Sequence, residues 1–127
     1  MRKSGKQEQE TRGRVRLKRA YDAMEPDDGL RVLVDRLWPR GLRKEEAGID
    51  LWLKEIAPSN GLRRWFGHDP ARWKVFRRKY QEELQERSEL LQTLQEALHR
   101  SSVTLLFAAR DEEHNNAVVI KGVLDGK

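Results

Sequence analysis

Two short stretches concentrate the side chains able to hold an anion or move a proton. In VLVDRLWPRG (32–41) an apolar run ends in Asp35, Arg36, Trp38, Pro39 and Arg40. In ARDEEHNN (109–116) a second apolar run gives way to Arg110, Asp111, His114 and Asn115. Guanidinium groups take phosphate or carboxylate bidentately, which is a reason to find arginine rather than lysine at such places. An imidazole titrates near neutrality and suits proton transfer. These types and positions predict an anion-accepting pocket, in a small enzyme or a ligand-binding domain acting on a phosphate- or carboxylate-bearing ligand. Asp35, orienting Arg36 or exchanging a proton itself, and His114 are the catalytic candidates. Arg36, Trp38, Arg40, Arg110, Asp111 and Asn115 are the ligand-binding candidates. Arg40 stands between Pro39 and Gly41 with no acidic residue before Glu45, which leaves its charge free for a ligand.

Each of these residues also has a purely structural use. Asp35 and Arg36 suit an ion pair, Trp38 a core position, and Asp111 a helix N-cap. Arg110 could pair with Asp111 or Glu113, and His114 could serve as a cap or surface residue.

Other chemistries find little support. Cysteine is absent, which excludes disulfides, thiolate ligands and thiol nucleophiles. His68, His99 and His114 show no metal-site spacing, so no metal is expected. No Walker loop, G-x-G-x-x-G or G-x-S-x-G occurs, and Ser59, Ser88, Ser101 and Ser102 lack a nucleophile context. The sequence names no cofactor.

The elements that must position these residues follow from periodicity. RVRLKRAY (14–21) alternates as a strand with one exposed face, while LRVLVDR (30–36) and SVTLLFAA (102–109) are apolar on both faces, as covered central strands are. GIDLWLKEIA (48–57) predicts a helix from Ile49, Leu53 and Ile56, ended by Pro58. NGLRRWFG (60–67) reads as a short helix or turn. Asp69 and Pro70 are a helix start, with Trp73, Phe76, Tyr80 and Leu84 at helical spacing, a break near Ser88, and Leu91, Leu94 and Leu98 beyond it. NNAVVIKGVL (115–124) is a last helix. The fold class is therefore α/β, a small three-layer sandwich with a largely parallel sheet of about three strands and helices on both faces. The first connection is short for a parallel crossover, which leaves the direction of the first strand open. Parallel strands would bring both polar clusters to one sheet edge, where ligands of open α/β sheets gather. Residues 1–13 read as a flexible basic tail and 14–127 as a single α/β domain.

Composition adds boundaries. Of 127 residues, 37% are hydrophobic and 37% charged, with a net charge of +5. No apolar segment approaches the length of a membrane span, and the basic start has no apolar stretch behind it. A cytoplasmic protein without membrane contact is expected. The positive balance keeps a second reading open, a nucleic-acid-binding or regulatory module using the tail and the helix over 70–80. There Arg72, Lys74, Arg77, Arg78 and Lys79 interleave with Trp73, Phe76 and Tyr80. Oligomeric state is not encoded in any recognisable pattern.

The segments LRVLVDRLWPRG, WLKEIAPS, LRRWFGHDPARW and VTLLFAARDEEHNNA resemble, in order and spacing, the YeaO-like branch of the domain-of-unknown-function 488 family. The resemblance runs from about Val15 to Leu124, with Leu30 where an aromatic is common. It implies a compact α/β sandwich in a bacterial or archaeal cytosolic protein, with Asp35–Arg36 and Arg110–Asn116 as signature elements. It carries no assigned reaction, substrate or cofactor. Longer relatives have Cys-His-Arg near the place of EHNN, and the missing cysteine means that thiol chemistry there would not transfer.

Overall fold

Four strands build the sheet: β1 (Val15–Arg19), β2 (Leu30–Leu33), β3 (Leu51–Trp52) and β4 (Val103–Phe107), in the order β1-β4-β2-β3. All three pairings are parallel. The computed structural model describes residues 13–126. The tail expected over 1–13 therefore lies, apart from Gly13, outside the described residues. The five helices among those described are α1 (Lys44–Ala47), α2 (Asn60–Phe66), α3 (Trp73–Gln85), α4 (Ser88–Leu98) and α5 (Asn116–Leu124). None is long and apolar enough to cross a membrane.

The α/β class is as the sequence indicates, but the sheet has four strands where about three were expected. The added strand, β3, lies within the segment predicted as a helix. Its neighbours Asp50 and Leu53 donate backbone N–H bonds to the carbonyls of Arg31 and Leu33, both at 2.9 Å. The Asp50 carboxylate also accepts from the Arg31 N–H. A helix over 48–57 would satisfy its own backbone and leave this edge of β2 unpaired; the extended form satisfies both. The apolar spacing of Ile49, Leu51 and Leu53 is in fact two, the strand period.

The first connection is parallel despite its brevity. Strands this short, roughly 17 Å long, need no helix for the return, since ten extended residues reach about 33 Å. Residues 20–29 make that passage with a single turn of 3-10 helix at Pro26–Asp28.

The sheet buries two unlike faces. Val15, Val32, Val34, Val103, Leu105 and Phe107 face α2–α5 in the main core, together with Phe76, Tyr80, Leu84, Leu94 and Ile120. The opposite face has a small apolar patch of Ala20, Leu33 and Leu106 under Trp38, Leu42 and Ile49. The rest of that face is ionic. Arg31 lies fully buried and donates to the Asp28 carboxylate (2.7 Å) and to the carbonyls of Gly48 and Ala47. Asp28 also accepts from Lys18 Nζ and the Glu25 N–H, while its carbonyl accepts from Thr104 Oγ1. This lattice ties both loop connections to the sheet on the face that α1 covers.

Local signals place the helix ends. The Ser59 hydroxyl accepts from Leu62 N–H at the start of α2 and donates to Glu83 of α3. The Asp69 carboxylate accepts from Ala71 N–H, opening a 3-10 turn (Pro70–Arg72) that leads into α3. The break expected near Ser88 falls at Glu86 and Arg87.

Candidate functional site

All four strands point their carboxyl ends to one edge, and a cavity of about 490 Å³ opens there. Its polar wall includes Asp35, Arg36, Arg40, Arg63, His68 and His114. Its apolar wall comes from Trp38, Pro58, Phe66, Phe76, Ala108 and Ala109. Asp35 is the only acidic residue among those lining it.

Asp35 leaves the end of β2 and bridges to the neighbouring strand. Its Oδ2 accepts from Ala108 N–H at 2.8 Å, and its Oδ1 accepts from Asn116 Nδ2 at 3.1 Å. The same Asn116 amide donates to the Val34 carbonyl. Burial pushes the Asp35 carboxyl above its ordinary value. The Ala108 N–H, the Asn116 amide and the positive charge available on His68 oppose that rise without cancelling it.

Arg36 is not partnered by Asp35. Its terminal nitrogens reach Glu55 (3.5 Å) and the Ala57 carbonyl (3.4 Å), both long, and its buried Nε has no hydrogen-bond partner among the described residues. Arg40 is exposed, and its guanidinium makes no bond to a described residue; only its carbonyl is engaged, by Tyr21 Oη. Trp38 lines the cavity but packs edge-on to Trp52 and donates to the Leu42 carbonyl, so it serves the small apolar patch as well.

The segment after β4 divides. Arg110 is exposed and is not among the lining residues. Asp111 also stands outside the wall: its Oδ1 accepts from Glu113 and His114 N–H and its Oδ2 lies 2.9 Å from His114 Nδ1. The Glu113 N–H, seconded by the His114 ring, holds this carboxyl below its ordinary value. His114 lines the cavity with its ring against Trp73. Asn115 is buried as the N-cap of α5, accepting from Val118 N–H and donating to the Asp111 carbonyl.

The sequence pattern did not single out Asn116, Arg63 or His68 as site residues. Asn116 follows the cap residue at the first position of α5, directly beside the strand ends, so a polar residue there was the available signal. Arg63 reaches the cavity from α2, and no local pattern in the sequence marks that face of the helix. His68 reads as a turn residue until the fold sets it on the wall.

Comparison with known proteins places the chain. The profile of a family described as "Inactive DUF488-N3 subclade" matches residues 14–127. An uncharacterized protein of Mycobacterium tuberculosis is 44% identical over 114 residues, which are 90% of this chain and 96% of that one. A Mycobacterium bovis protein shows the same figures. Uncharacterized protein YeaO of Escherichia coli is 39% identical over 106 residues, 84% of this chain and 92% of YeaO. No solved structure matches. From a profile match over residues 14–127 and relatives of nearly the same length, the chain belongs to the Inactive DUF488-N3 subclade and is a YeaO-like member of the domain-of-unknown-function 488 family.

Proposed function

We propose that the cavity at the carboxyl edge of the sheet binds a small phosphate- or carboxylate-bearing ligand. The observation that carries this reading is the charge balance of the wall. Three arginines, Arg36, Arg40 and Arg63, line the cavity with one carboxylate, and both oxygens of that carboxylate already accept hydrogen bonds. Arg40 brings a charge without a structural partner among the described residues, and guanidiniums match oxyanions in geometry as well as sign. The apolar wall beside them suits the body of an organic ligand.

Binding without turnover is the preferred form of the reading. Asp35 is occupied in holding β2 to β4 and α5, no cysteine is available as a nucleophile, and the subclade's description is "Inactive". Proton transfer by His114 is the second form. It is favoured by the Asp111 carboxylate at His114 Nδ1, which fixes the tautomer and leaves Nε2 for a ligand.

The test is calorimetric titration of inorganic phosphate, with melting curves in phosphate and chloride at matched ionic strength. Phosphate should stabilise the fold more than chloride by mass action. Arg40→Ala should weaken phosphate binding about tenfold, the value of one charge-assisted hydrogen bond, with no change in melting temperature in chloride. Equal melting in the two salts, with no heat of phosphate binding, would overturn the reading.

A further inference from the structure

The chain leaves α2 through two consecutive residues in the left-handed region, Gly67 at φ 54° and His68 at φ 57°. Gly67 closes the helix, and without a Cβ it adopts that conformation freely. His68 is the only non-glycine residue with positive φ among those described. Few side chains accept this region, because Cβ crowds the following carbonyl; histidine, with asparagine and aspartate, is among those found there more often than the rest. Glycine would fill the same turn with no Cβ to crowd.

Three further facts concern what this strained turn presents. His68 lines the cavity. Its ring makes no hydrogen bond to any described residue and rests 6.3 Å from the Phe66 ring. It also stands close enough to Asp35 to act electrostatically on that carboxyl. The other polar rings and amides of this wall are engaged: His114 by Asp111, Asn116 by Asp35, and Tyr21, Trp38 and Asn115 by backbone carbonyls. Besides the guanidiniums, His68 is the one side chain of this wall whose polar atoms all lack a partner among the described residues.

We propose that His68 is an anion-contact residue, its imidazole N–H donating to the ligand that Arg36, Arg40 and Arg63 hold. The left-handed turn sets His68 on the cavity wall, where its ring is left without a hydrogen-bond partner among the described residues. This assignment rests on the anion-binding reading above and adds a specific contact from a loop that the strand-end chemistry does not include.

Phosphate titrated into the full chain and into three variants tests it. His68→Gly relieves the backbone and removes the donor. Its melting temperature should be unchanged or raised while phosphate affinity falls about tenfold. His68→Asn tolerates the left-handed region and keeps an N–H, so it should bind more tightly than His68→Gly. His68→Asp has the asparagine shape but puts a carboxylate at the contact, and the lost donor together with charge repulsion should abolish binding, which keeps the test decisive should the glycine variant fold poorly. Wild-type affinity in His68→Gly, or equal affinity in the Asn and Asp variants, would reduce His68 to a turn residue while leaving the cavity reading intact. Absence of phosphate binding in the wild-type protein itself would overturn the cavity reading, and this contact with it.

Discussion

The Arg31 guanidinium lies 2.7 Å from the Asp28 carboxylate, and neither side chain is more than 2% exposed. A complete ion pair is thus enclosed beneath the loops that cover one face of the sheet. It is tolerable because the remaining hydrogen-bonding capacity is used: Arg31 also donates to backbone carbonyls of residues 22, 47 and 48, and Asp28 also accepts from Lys18 and Glu25 N–H. The pair fixes the path of the short β1–β2 connection by tying its final turn to the strand that follows.

Arg31→Met should therefore destabilise the protein by about 3–5 kcal/mol, because Asp28 loses its buried partner and three backbone carbonyls lose a donor. Chemical denaturation of the two proteins measures this. Lys18→Met, which removes the more accessible of the two cations, should be milder.

The two carboxylates respond to pH in opposite senses. Burial alone would raise the Asp28 carboxyl, but hydrogen bonds from Lys18, Glu25 N–H and Arg31 outweigh it and hold the group below its ordinary value. Its contribution is then present above the unfolded value, about 3.9, and is lost as pH falls through the lower folded value. Asp35 is raised, so the folded state favours its protonated form, and stability is lost as pH rises from the unfolded value through the folded one. Melting curves from acid to neutral pH should show Asp28→Asn flattening the acid limb. Asn116→Ala, which withdraws a donor from the Asp35 carboxylate, should move the Asp35 titration further upward, as carboxyl chemical shifts would report.

Gly29→Ala should destabilise by more than about 3 kcal/mol, as clashes and forbidden backbone geometry together do. Gly29 has φ 65°, and a Cβ there would stand 2.0 Å from the Ser102 carbonyl oxygen, the same atom that accepts from Leu30 N–H. Thermal denaturation of the variant checks this, with Gly61→Ala as the control: its Cβ would meet nothing within 4 Å.

Tyr80→Phe should cost about 1–2 kcal/mol, the usual penalty for an unpaired buried polar group. The Tyr80 hydroxyl donates to the Ile56 carbonyl within the core, leaving only a 3.4 Å contact from Arg87 once removed. Equilibrium unfolding in urea would measure it.

The nucleic-acid alternative has a separate test. Lys74, Arg77, Arg78 and Lys79 are exposed on α3, whereas Phe76 and Tyr80 are buried, so phosphate contacts rather than base stacking would have to supply affinity. Neutralising Arg77 and Arg78 should change stability by less than about 0.5 kcal/mol and should leave phosphate binding in the cavity unaltered. Strongly salt-dependent oligonucleotide binding that disappears in this variant would favour the alternative.

Much of the architecture is written in local pattern. The unbroken apolar runs at Val32–Val34 and Val103–Phe107 can be satisfied only by strands covered on both faces, and the Asp69 cap marks where helical backbone must find an acceptor, whereas the last helix is capped by Asn115 and not by Asp111. The position of Asp35, Arg36 and Arg40 at a strand end followed from the same reasoning, because a parallel sheet collects its strand ends at one edge. What the sequence alone could not decide depends on contacts between distant residues. Whether 48–57 is helix or strand turned on an unpaired edge of β2, which exists only once the sheet is assembled. Arg31, isolated in an apolar run, became a core residue because Asp28 and the carbonyls of 47 and 48 fold over it. Likewise Asn116, Arg63 and His68 join Asp35 only through the packing of α2 and α5 against the sheet. Periodicity reports the face a residue presents, whereas the identity of its neighbour across 81 residues of chain is a property of the tertiary structure.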